Sequence, residues 1–164
     1  MKKYLLLIFL LLSSISFAKW EIERNENNKN IIVTSSINSE PKQSGKIYIS
    51  KNSLKGSLTY YSMTLLVDKC KPSPIENNQD DSLEKIKVNV KIGYLDEVEY
   101  PGLVNKNKPY EIYLIFISNE MELLKGSKTL RINYEGENST SCWLDFDLSG
   151  LDEASKSLKT RLIF

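Results

Sequence analysis

The chain has 164 residues, 22 basic against 21 acidic side chains, a formal net charge of +1, two cysteines and no histidine. So balanced a charge argues against nucleic acid or an anionic membrane surface as the main partner. The lack of histidine excludes Ser–His and Cys–His catalysis and removes the commonest ligand of transition metals, so no metal or other cofactor is expected.

The chain opens Met1-Lys2-Lys3, runs apolar from Tyr4 to Leu12, and reaches Ser16 and Ala18. A basic start, a short apolar core and small residues at this spacing predict a secretory signal peptide over residues 1–18, cleaved after Ala18. The apolar run is shorter than the ~20 residues needed to cross a bilayer. No later run is long and apolar enough, so no integral membrane segment is expected once the signal is removed. With no cysteine near the cut, a lipid anchor is not expected either. A periplasmic or secreted location follows. Residues 19–164 then form a single β-rich domain, large enough to bury about 68–70% of its unfolded surface. Outside the cytoplasm the two cysteines admit one intramolecular pairing, Cys70 with Cys142.

In chain order, Trp20 and Ile22 alternate with Glu21 and Glu23, an Asn-rich turn spans residues 25–30, and Ile31–Ile37 completes an antiparallel hairpin. Ser39–Gly45 reads as a loop around Pro41, Ile47–Ile49 as a short strand, and Lys51–Gly56 as a turn. Ser57–Lys69 is the longest strand candidate. It has Tyr61, Met63, Leu65 and Val67 on one face, and Leu58, Tyr60, Leu66 and Cys70 on the other, so that both faces are partly covered or a bulge shifts the register. Lys71–Ser82 is a polar loop and the expected site of proteolytic nicking. Ile86, Val88, Val90, Ile92 and Tyr94 alternate with polar residues, the pattern of a strand buried on one face. Pro101–Pro109 reads as a loop. Tyr110–Ile117, apolar on both faces, reads as a central strand. Asn119–Lys125 predicts a short helix capped by Asn119 and Glu122 and ended by Gly126. Leu130–Tyr134 and the strand beginning near Cys142 form a hairpin across Glu135–Asn138. Leu151–Lys159 predicts two helical turns burying Leu151, Ala154 and Leu158. The whole reads as a mostly β chain, an antiparallel β-sandwich or barrel-like fold with one or two short C-terminal helices.

Along the last long strand, Cys142, Leu144, Phe146 and Leu148 share the core side. Trp143, Asp145 and Asp147 share the outer one. Trp143 among acids on an outer sheet face is the candidate binding surface. Other chemistry is weaker. Ser39–Lys42 and Ser82–Lys85 have Ser-x-x-Lys spacing, but random placement of this chain's serines and lysines gives as many such pairs. Asp145 and Asp147 would sit about 7 Å apart on a strand, within reach of glycosidase chemistry, yet nothing nearby would raise one pKa. Oxygen-rich stretches at Asn77–Asp81 and at Asp96, Glu97 and Glu99 lack the order of a calcium loop.

Three stretches carry a resemblance: Trp20 near the mature start, Leu66-Val67-Asp68-Lys69-Cys70, and Phe146-Asp147-Leu148-Ser149-Gly150-Leu151-Asp152-Glu153-Ala154. The chain resembles the invasion-associated locus B proteins and the related periplasmic proteins linked to type VI secretion. That resemblance implies a periplasmic or surface β-sandwich with no catalytic centre, acting through protein contacts in envelope function or host interaction. The chain departs from the pattern in lacking a further cysteine near the C-terminus. The expected function is therefore an exported, non-enzymatic binding or envelope-accessory protein whose partner is a protein or envelope component. The alternatives are a small cell-wall or glycan hydrolase using carboxylates such as Asp145, and a structural protein that self-assembles through sheet edges. The sequence sets no oligomeric state.

Overall fold

A computed structural model describes residues 20–24, 30–54, 58–75, 82–158 and 161–163. The expected signal peptide and the Asn25–Lys29 turn lie outside them. Within them the chain forms strands β1 (Glu21–Arg24), β2 (Asn30–Ser35), β3 (Asn38–Glu40), β4 (Gly45–Leu54), β5 (Thr59–Val67), β6 (Leu83–Ile92), β7 (Val98–Asn105), β8 (Lys108–Ile117), β9 (Thr129–Gly136), β10 (Thr140–Asp147) and β11 (Arg161–Ile163). Helix α1 (Ser118–Gly126) follows β8, and helix α2 (Leu151–Ser155) follows β10.

The strands join one sheet in the order β1-β2-β4-β5-β8-β7-β6-β9-β10-β3, with β11 added parallel to the end of β4. Every other pairing is antiparallel. The sheet curls on itself because β3, the neighbour of β10 at one end, lies in the chain between β2 and β4 at the other. Ile37 N–H donates to the Asp145 carbonyl (2.8 Å), and Ser36 N–H to the Gly45 carbonyl (2.8 Å). A barrel-like, mostly antiparallel β fold with two short helices results, matching the expected class.

Alternation builds the core. Met63, Leu65 and Val67 of β5, Ile86, Val88, Val90 and Ile92 of β6, and Leu130, Ile132 and Tyr134 of β9 are buried, with Leu144 and Phe146 of β10 fully so. Each strand presents one face inward, as its period of two requires. Met121 and Leu124 of α1 and Leu151 of α2 close the core with no exposure. Trp20 packs against this core, beside Gly150, which has φ +84°.

Several expectations change. The stretch read as a Pro101–Pro109 loop is mostly strand. Pro101 lies opposite Lys87 in β7, while β7 meets β8 only from Leu103 to Asn105. Pro101 therefore has no ladder partner on its β8 side, where its missing N–H costs nothing. Gly102 faces the Ile86 and Val88 side chains so closely that a β-carbon there would come within 2.7 Å of Val88 Cγ2. Strand β4 runs ten residues, continuing through the expected Lys51 turn because Asn52 and Ser53 still pair with β5. β3 occupies part of the expected Ser39–Gly45 loop. Tyr94 lies in the turn after β6 and is exposed. β5 carries no bulge against its neighbours, and Leu66 is simply exposed. β8 is central, yet Ile115 and Ile117 on its outer face are exposed. Helix α1 is capped by Glu120, whose Oε2 accepts the Ile117 N–H at 2.7 Å, rather than by Asn119 and Glu122. Helix α2 is one turn shorter than expected, although Leu151 and Leu158 are both buried.

Candidate functional site

Four adjacent strands, β7, β6, β9 and β10, present a polar outer face. Their registers place one residue of each in a straight row: Glu99 opposite Asn89, Asn89 opposite Asn133, and Asn133 opposite Trp143. Glu40 of β3 continues the row beyond Trp143. Neighbours in such a row stand about 4.8 Å apart. These side chains point outward because the residues beside them in each strand, such as Val88, Val90, Ile132 and Tyr134, point into the core.

A second row runs parallel to the first. Lys91 faces Arg131, and Arg131 faces Asp145. Arg131 holds Asp145 through two hydrogen bonds, Nε to Oδ1 at 2.7 Å and Nη2 to Oδ2 at 2.9 Å. Its guanidinium carbon also lies 4.4 Å from the centre of the Trp143 ring. The paired carboxylate favours the charged guanidinium and raises the Arg131 pKa further. Arg131 thus joins two residues of the expected binding surface, Trp143 and Asp145, through cation–π and fork-to-carboxylate contacts. The third, Asp147, lies further along β10, where its Oδ1 accepts the Ser149 N–H at 2.8 Å in the turn before α2.

Beyond Tyr134, which pairs with Val88, strands β6 and β9 separate. The chain leaving β5 fills the gap as a strap. Pro72 bridges to Gly136, Ser73 N–H donates to the Glu135 carbonyl (2.9 Å), and Ile75 N–H donates to the Lys85 carbonyl (2.9 Å). The strap is anchored at its start by the Cys70–Cys142 disulfide, with Cα atoms 6.5 Å apart. Around Cys70, the Tyr134 hydroxyl donates to its carbonyl (2.8 Å) and its own N–H donates to Gln43 Oε1 (3.0 Å). Burial pushes the Tyr134 phenol well above the usual tyrosine range. Gly136 packs on the bridge, where a β-carbon would come within 2.8 Å of Cys142 Sγ.

Strap and sheet together form a groove of about 820 Å³. Lys87, Asn89, Asn133 and Glu135 line it from the sheet, Ser73 to Ile75 from the strap, and Ser139 and Ser141 from the β9–β10 hairpin. Lys87 pairs with Glu99 at 3.6 Å. The side-chain amides of Asn89 and Asn133 bond to no other protein group among the described residues.

Other expected chemistry fares differently. Ser39 is used in a local turn, donating to the Gln43 carbonyl and accepting the Gln43 N–H. Glu99 sits on the outer face of β7, paired with Lys87. No group of three or more acidic or cysteine side chains able to hold a metal occurs among the described residues. Asn77–Asp81 lies outside them. Asn89, Asn133, Lys87 and Arg131 escaped attention because outward polar positions look alike in sequence. Only the cross-strand register aligns them, and the one available signal was their alternation with core residues.

Compared with known proteins, the chain matches no family model, no curated protein and no solved structure.

Proposed function

We propose that this chain is an exported, non-enzymatic accessory domain of the bacterial envelope that works by binding another envelope component or a host protein. Its binding face is the outer surface of β7, β6, β9 and β10. The observation that carries this reading is the groove beside the Arg131-clamped Trp143, where side chains with spare hydrogen-bonding capacity converge on a disulfide-tied sheet. The signal-like start, the oxidised cysteines and the resemblance to periplasmic invasion-associated proteins support an extracytoplasmic setting. A catalytic role finds no support at Asp145, whose carboxylate is committed to Arg131.

Co-sedimentation of the purified mature domain with native bacterial envelopes tests the reading. The wild type and an Ile115→Ser variant, altered on the outer face of β8, should both be retained. An Asn133→Arg variant, which crowds the groove, should be released. Equal retention of both variants, or no retention of the wild type, rejects this face as the binding surface.

A further inference from the structure

The groove's chemistry narrows what it binds. It holds one ammonium, Lys87, against two carboxylates, Glu99 and Glu135, so it does not select anions. Its sheet-side lining is amide and charged groups, and the hairpin adds two hydroxyls. Its volume falls within the range of about 300–1,000 Å³ usual for small-molecule pockets, but those are mostly apolar, whereas here the apolar surface that Pro74 and Ile75 of the strap provide faces a polar sheet side and is roughly balanced by it. A peptide strand finds little edge to pair with here: β6, β9 and β10 are inner strands of the sheet, and where β6 and β9 part the strap already takes up the Glu135 and Lys85 carbonyls through the Ser73 and Ile75 N–H groups. It also finds no row of apolar pockets for its side chains.

A polyhydroxylated chain meets the opposite situation. Asn side chains both donate and accept, as sugar hydroxyls do, and carboxylate, ammonium and serine complete the set. The row Glu99–Asn89–Asn133–Trp143 repeats at the strand spacing of about 4.8 Å, close to the length of one pyranose unit in an extended glycan. At its end stands an indole whose ring Arg131 holds in place. Half-buried, it still offers apolar surface to the C–H face of a sugar.

We propose that this groove binds an extended glycan laid across the strands, about one sugar unit per strand, with Asn89 and Asn133 hydrogen-bonding its hydroxyl or acetamido groups and Trp143 contacting the terminal ring. The proposal rests on the reading of this face as the binding surface and names its ligand class. Wall polymers and foreign cell-surface glycans share this chemistry.

The test is calorimetric titration of the mature domain with three probes. They are the N-acetylglucosamine tetramer, which stands for wall-type chains, lacto-N-tetraose, which stands for animal-surface chains, and reduced, alkylated insulin B chain, which stands for extended peptides. Saturable binding of either tetrasaccharide is expected, weakened about tenfold or more by N89A/N133A. Trp143→Ala serves as a second variant, and circular dichroism confirms that both remain folded. Which tetrasaccharide binds identifies the source. Binding of the peptide alone, or tetrasaccharide binding unaffected by either variant, overturns the glycan. If neither tetrasaccharide binds while native envelopes still retain the wild type and release Asn133→Arg, the glycan is rejected and the binding face stands. If the envelopes do not retain the domain either, both fall.

Discussion

Gly45, the first residue of β4, lies so close to Leu144 of β10 that a β-carbon on it would overlap the leucine Cδ2 methyl. These strands belong to opposite halves of the sheet order, so the contact marks the seam where the sheet closes on itself. Gly45 is needed there for space.

A methyl at that seam should therefore be felt. Gly45→Ala is expected to destabilise the domain by about 1–3 kcal/mol through overpacking, read as a lower urea midpoint at unchanged slope. Combining it with Leu144→Val should recover part of that loss, making the pair less than additive. Strict additivity would show that the two residues do not press on each other.

The bridge closes a separation of 72 residues, for which loop entropy gives about 4 kcal/mol. The variant C70S/C142S should lose up to that amount, a large share of a domain's usual net stability. Alkylation of the unfolded wild type should label both thiols only after reduction. Labelling without reductant would refute the bridge in the isolated protein.

Arg131 joins Asp145 and Trp143 on a partly exposed surface. Asp145→Ala should cost about 1 kcal/mol, toward the upper end for exposed pairs because the contact is two-pronged. Arg131→Lys should cost a similar amount, since an ammonium reproduces neither the fork nor the flat stacking. Trp143 fluorescence should change in Arg131→Lys. An unchanged spectrum would place the cation away from the ring.

Burial and the neighbouring Glu120 push the Tyr100 phenol up to about 12, and burial with Glu111, whose carboxylate accepts the Tyr113 hydroxyl, does the same for Tyr113. A raised folded pKa favours the protonated form in the native state. The stability it contributes is thus complete below the unfolded value of about 10 and is lost as pH climbs through about 12. The urea midpoint should fall across that window, and Tyr100→Phe should flatten the fall. A midpoint independent of pH there would contradict the assignment.

Much of the fold was legible because alternation is strong in β5, β6, β9 and β10. Cys142, Leu144, Phe146 and Leu148 are all buried, as their period of two requires. β7 was missed because Pro101 and Gly102 signal a turn in isolation, and only the missing partner on one side and the crowding by Ile86 and Val88 make them suit a strand. β3 was missed because three polar residues around a proline carry no periodic signal. At the candidate site, Trp143 and Asp145 stood out by residue type and position. The two asparagines became visible only once Asn89, Asn133 and Trp143 were seen in one register, and Arg131 only once it was seen opposite Asp145, a property of pairing that no single strand encodes.

The Cys70–Cys142 bridge has one more consequence. It encloses β6 through β9 and helix α1 in a covalent ring that also holds the 71–82 stretch, the expected place for a protease to cut. A single scission anywhere within that ring leaves two fragments joined through sulfur. Such a nicked molecule would migrate as one species without reductant and separate only on reduction.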